Sequence, residues 1–180
     1  MALAAVALRG GGDMDMKRMM RHLSCGQSSV RRAFPPRMLD AIERAIRESE
    51  AQHNGQIRFA VEAALELSPL LAGQTAQQRA LEVFSNLRVW DTEHNNGVLI
   101  YLLLADRDVE IVADRGIHAR LGSAVWEAIC QNMEAAFRAG EFEAGVLAGI
   151  RSVGELVVQH YPRSGESTNE LPDRPVLLGG

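Results

Sequence analysis

Six consecutive polar residues, Asp91-Thr92-Glu93-His94-Asn95-Asn96, stand between Trp90 and Gly97. Carboxylate and amide oxygens are the ligands that hard cations prefer, so Asp91, Glu93, Asn95 and Asn96, joined by Asp114, are candidate ligands for calcium or magnesium. The alternative is plain turn chemistry, because Asn and Gly both tolerate positive φ, and the ligand spacing of an EF-hand is absent. His94 and Asp106 are the candidate proton-transfer groups, and Arg115 is a candidate donor to phosphate. No Ser or Cys nucleophile accompanies them, and His53 and His94 read as exposed loop histidines in preference to bases or ligands.

The elements that must hold these residues follow from periodicity. Pro35 and Pro36 precede Met38, Leu39, Ile42, Ala45 and Ile46, a helical stripe expected to end near Asn54 and Gly55. From Ile57 the period is two: Ile57, Phe59, Val61 and Ala63 alternate with Arg58 and Glu62, which reads as a half-covered strand. Thr75 to Arg88 is helical again. Val98 to Leu104 has no polar face, as befits a strand covered on both sides.

The four residues Ala105, Asp106, Arg107 and Asp108 leave too little chain for a crossover, so Val109 to Ala113 should return antiparallel as a hairpin. Two amphipathic helices follow, separated at Gly140. The order α, β, α, β, β, α, α predicts an α/β fold with a small mixed sheet, one parallel βαβ unit and the hairpin. That topology puts His53, Asn54, the 91–96 loop, Asp114 and Arg115 on one sheet edge, and Glu66, Asp106, Arg107 and Asp108 on the other.

Certain runs are more specific than periodicity: Gly-Gln-Ile-Arg-Phe-Ala-Val at 55–61, Phe84 with Trp90, Asn95-Asn96-Gly97-Val98-Leu99-Ile100, and Asp106-Arg107 leading to Val109-Glu110-Ile111-Val112 and Gly116-Ile117. Over residues 36–162 the chain resembles the TPM domain family. The resemblance implies an α-β-α sandwich of Rossmann-like outline, helices on both faces, divalent metal (chiefly calcium) on acidic loop residues, and acid phosphatase activity toward small phosphate esters. Where many relatives have glycines after the tryptophan and after the third strand, this chain has Asp91-Thr92-Glu93-His94 and Asp114-Arg115. Those substitutions favour a cation site over a generic phosphatase.

The ends read differently from the middle. Residues 1–33 mix Gly, Met, Arg and Ser and are expected to form a basic, disordered arm; residues 34–162 form the domain, and residues 163–180 a disordered tail. Residues 16–39 hold Lys17, Arg18, Arg21, Arg31, Arg32 and Arg37 and no acid, whereas the rest of the chain holds 13 bases against 23 acids. Such an arm suits a protein partner or an anionic membrane surface. Nucleic acid is not expected, because the body is acidic and aromatic residues make up only 5% of the chain. Two cysteines, Cys25 and Cys130, form no disulfide framework, and no secretory leader is evident, so a cytoplasmic location is expected. The function expected is a noncatalytic binding or assembly module with a divalent-cation site; the alternative is a metal-dependent acid phosphatase.

Overall fold

The computed structural model describes residues 16–165 and 168–179. The apolar stretch 2–8 and the glycine-containing stretch 9–13 lie outside the described residues. A four-stranded sheet in the order β3-β2-β1-β4 is built from β1 (Gln56–Glu62), β2 (Gly97–Leu103), β3 (Asp108–Ala113) and β4 (Val176–Leu178). β1 and β2 are parallel and β2 and β3 antiparallel. Eight helices surround the sheet among the described residues: α1 (Met16–Ser24), α2 (Gln27–Ala33), α3 (Pro36–Glu50), α4 (Leu67–Leu71), α5 (Ala76–Asn86), α6 (Arg115–Leu121), α7 (Ala124–Arg138) and α8 (Phe142–His160).

The apolar run of β2 is explained by the two layers that cover it. Val98, Ile100 and Leu102 join a core with α3, α7 and α8, while Leu99, Tyr101 and Leu103 join a second core with α4 and α5. Alternating side chains of one strand thus seal both faces, and every residue of β2 is buried. α5 begins on a capping box in which Thr75 accepts from the Gln78 backbone N–H and Gln78 accepts from that of Thr75.

β1 departs from expectation, being covered on both faces. Arg79 reaches from α5 to hold Glu62 with two 2.9 Å hydrogen bonds, and the Tyr101 hydroxyl donates to the same carboxylate at 2.7 Å. The alternation misleads because Glu62 is paired under α5 and Arg58 is held by carbonyls of residues 172 and 174. α3 likewise ends at Glu50, earlier than Gly55 would suggest; Gly55 is needed for close packing, since a Cβ there would lie 2.5 Å from Val157 Cγ1.

The ends require the largest correction. Residues 16–33, expected to be disordered, form α1 and α2 on the body: Val30 is buried, and Asp106 accepts from Arg18 Nε and Arg21 Nη2 at 2.9 Å and from His22 Nε2 at 3.0 Å. Leu65 N–H donates to His22 Nδ1, so a neutral ring protonated on Nε2 satisfies both contacts. Residues 168–179 are not a loose tail either. Gln56 Oε1 accepts from the backbone of Glu170 and Leu171, Arg58 donates to the Pro172 and Arg174 carbonyls, and β4 pairs in parallel with β1. Prolines at 172 and 175 are compatible with an edge strand, which has one unpaired side.

Candidate functional site

The sheet edge where β1 and β2 begin and β3 ends gathers the residues expected there. β1 is entered through His53, Asn54 and Gly55, β2 through the 91–96 loop, and β3 leads through Asp114 into α6. Main-chain bonds stitch these together: Gln56 N–H donates to Asn96 O at 3.1 Å, Asp114 N–H to Gly97 O at 2.8 Å, and Asn54 N–H to Tyr161 O at 3.0 Å. A cleft of about 810 Å³ opens above them, lined by Asn54, His94, Asn95, Arg115, Gly116 and Tyr161 among others.

Asn95 takes the left-handed conformation at φ 51°, the turn position that Asn tolerates. Gly97 serves another purpose. A Cβ there would sit 2.0 Å from the Val89 carbonyl oxygen, so the glycine lets the loop close against the strand. The loop is fixed further by Arg115 Nε donating to Asn95 Oδ1 at 3.2 Å, and by the Thr92 hydroxyl accepting from Asn96 N–H at 3.1 Å.

Three side-chain oxygens at this edge are buried and partnerless among the described residues: Asn54 Oδ1, Asn96 Oδ1 and Asp114 Oδ2. Asn96 is fully buried and its orientation is set by Nδ2 donating to Asn54 O at 2.7 Å, which aims Oδ1 away from that bond. Asp114 is 2% exposed; its Oδ1 caps α6 by accepting from Arg115 N–H, while burial of the carboxyl pushes its pKa up. Buried acceptors without donors are costly, about 1–3 kcal/mol each, unless an ion or water meets them.

The expected ligand set therefore divides. Asn95, Asn96, Asp114 and Arg115 come together, whereas Asp91 and Glu93 are exposed on the outer side of the loop. Glu93 presents its backbone N–H to the Glu170 carboxylate. Among the described residues no three His, Cys, Asp or Glu side chains converge as metal ligands, so a cation at this edge would depend on amide oxygens beside the single Asp114 carboxylate. The oxygens present fit a hard cation in kind. Asn54, which sequence reasoning placed at this edge but not among the ligands, is the addition.

His94 is exposed at the cleft, but Asp106 lies beyond the far end of β2, roughly 23 Å away at ~3.3 Å per residue. Those two candidates do not share a site, and Asp106 is engaged by α1. Burial pushes the Asp106 carboxyl up, but hydrogen bonds from His22, Arg21 and Arg18 outweigh it and hold the group well below the carboxylate range. His53 is 1% exposed rather than a surface histidine: Nδ1 donates to Gly55 O, Ser49 Oγ donates to Nε2, and burial lowers its pKa to about 4.

The model of the TPM domain family matches residues 32–156. This chain belongs to the TPM domain family. Among solved structures, this TPM protein is similar to the BA42 protein of the psychrophilic bacterium Bizionia argentinensis, with 29% identity over 78% of this chain and 92% of that one, at a TM-score of 0.69. The N-terminal domain of a P. gingivalis protein shares the fold at 16% identity and a TM-score of 0.57, over 73% of this chain and 82% of that one. No curated protein matches. No helix among the described residues is long and apolar enough to cross a membrane.

Proposed function

We propose that this TPM domain is a noncatalytic binding module whose strand-edge site takes calcium or magnesium on Asp114 Oδ2, Asn96 Oδ1 and Asn54 Oδ1. The observation that carries this is the set of three buried, partnerless oxygens on adjoining strand ends. Oxygen-only donors favour hard cations, and a single carboxylate makes the site a low-charge one. The test is thermal unfolding with chelator, calcium or magnesium. At a hundredfold excess over Kd a ligand stabilises the folded state by about 2.7 kcal/mol, so the wild-type midpoint should rise by several degrees. Asp114→Asn keeps a capping oxygen and should lose the rise; an equal rise in that variant, or none in the wild type, sinks the assignment.

The docking face is supplied by α1. Met16, Met20 and Leu23 are 69%, 60% and 67% exposed at i, i+4 and i+7, opposite the inward Arg18 and His22. Their basic setting of Lys17, Arg21, Arg31 and Arg32 matches an anionic membrane surface. Met20→Ser with Leu23→Ser should reduce cosedimentation with phosphatidylserine vesicles at least threefold; undiminished binding rules the stripe out.

A phosphatase acting on small phosphate esters is the second reading, supported by His94 and Arg115 lining the cleft above the same oxygens. It requires hydrolysis of a chromogenic phosphate ester that disappears in the Asp114→Asn variant.

A further inference from the structure

We propose that the cleft between α1, α2 and the β2–β3 turn is a second binding site, for a phosphate-bearing small molecule. It lies at the sheet edge opposite the cation site and is an open cleft of about 990 Å³. Arg21, Arg32, Arg37 and Arg107 line it, against the two carboxylates of Asp106 and Glu143. Asp106 is already occupied by Arg18, Arg21 and His22. Arg32, Arg37 and Arg107 are exposed and form no ion pair among the described residues. Three fork-shaped donor groups therefore line one concavity without an ion pair among the described residues.

Charge and geometry select the ligand class. Arg21, Arg32 and Arg37 come from the acid-free stretch 16–39, and Arg107 joins them from the β2–β3 turn, so guanidinium groups distant in sequence are concentrated in one cleft of a chain whose net charge is −4. Four arginines against two carboxylates leave two positive charges, which suits the dianion of a phosphate monoester. Guanidinium groups meet phosphate oxygens in paired hydrogen bonds, which ammonium groups cannot do. Arg107 is held at φ 52°, a left-handed conformation that is costly for a side chain of this size and that projects it from the turn beside Leu104 and Ala105. Met38, Leu104, Ala105 and Phe142 provide an apolar wall for the organic part of such a ligand.

The experiment is calorimetric titration of the full chain with pyrophosphate and with phenyl phosphate, at fixed moderate salt. Saturable one-to-one binding is expected, weakened at least tenfold in the Arg37→Ala, Arg107→Ala double variant. Both arginines are exposed, and circular dichroism checks that the double variant is folded. The proposal is overturned if neither probe gives saturable heat, or if the double variant binds as well as wild type. Binding to phosphatidic acid vesicles with both soluble probes silent overturns it too, since that assigns the arginines to a lipid surface.

Discussion

Asp106→Asn is expected to unfasten α1 and lower stability by about 3 kcal/mol, because it leaves a nearly buried guanidinium without its counter-charge. Arg18 and Asp106 have side chains only 9% and 12% exposed, and Arg18 Nη2 is anchored separately by Gln74 O at 2.9 Å. The Arg21 bond contributes less, since half of that side chain is in water. The single amide oxygen of Asn can take either carboxylate position, so at least one of Arg18, Arg21 and His22 is left facing an NH2 group. Urea unfolding measures the loss, and limited trypsin digestion should show cleavage at Lys17, Arg18 and Arg21 well before the body is cut. Wild-type resistance at those bonds in the variant would mean that α1 is held mainly by apolar contacts. The depressed folded pKa of Asp106 gives a stabilisation that is complete above about pH 4 and is lost only as pH falls through the folded value. Mild acid should therefore leave the arm docked.

The second large effect is a fall in stability of about 2 kcal/mol between pH 6.5 and 8, removed by Glu50→Gln. Glu50 is 8% exposed, and its Oε1 accepts from Ile57 N–H at 2.6 Å. Burial raises its pKa to about 8; the Ile57 bond opposes that rise, and the Asp173 charge adds to it. Between its unfolded value near 4.5 and its folded value, the folded chain holds a proton that the unfolded chain has released, so stability decreases as pH rises through that window. His53 acts oppositely. Its folded pKa is about 4 against an ordinary 6.5, so the unfolded chain holds the extra proton and stability increases across pH 4 to 6.5. The two slopes nearly cancel from pH 4.5 to 6.5, leaving a plateau and then the decline due to Glu50. In Glu50→Gln the plateau should become a rise and the decline should vanish. Urea unfolding at pH 5, 6.5 and 8 decides it, and an unchanged decline in the variant would assign the slope to another group.

What the sequence disclosed followed the rules by which side chains meet water. Val98 to Leu104 reads only as a strand covered twice, and the four residues between it and Val109 allow only a hairpin. Together with the parallel βαβ unit from Ile57 to Leu104, the hairpin places Asn54, Asn96 and Asp114 on one edge. Several polar residues are buried for one physical cause: their partners lie on other elements, where no local pattern marks them. Arg18 and His22 form the inner face of α1 because Asp106, far along the chain, accepts from both; no local period contains that partner. Glu50, His53 and Glu62 are buried on bonds to backbone or to residues on other elements. Val176 to Leu178 is too short to register as a strand without knowing that β1 has a vacant side. At the site, Asp91 and Glu93 drew attention by charge, whereas the partnerless oxygens belong partly to amides that carry none.

The parallel pairing of β4 with β1 also sets a schedule for synthesis. Ala60 pairs with Val176, 116 positions later. At roughly 5–20 residues per second, one side of β1 stays unpaired on the ribosome for about 6–23 s after it is made. An unpaired strand edge is a template for another nascent chain, and neighbouring ribosomes on one message present identical edges. Rare codons between residues 60 and 176 would lengthen that exposure, so the yield of folded protein should depend on translation speed through this stretch more than through the helices of the arm.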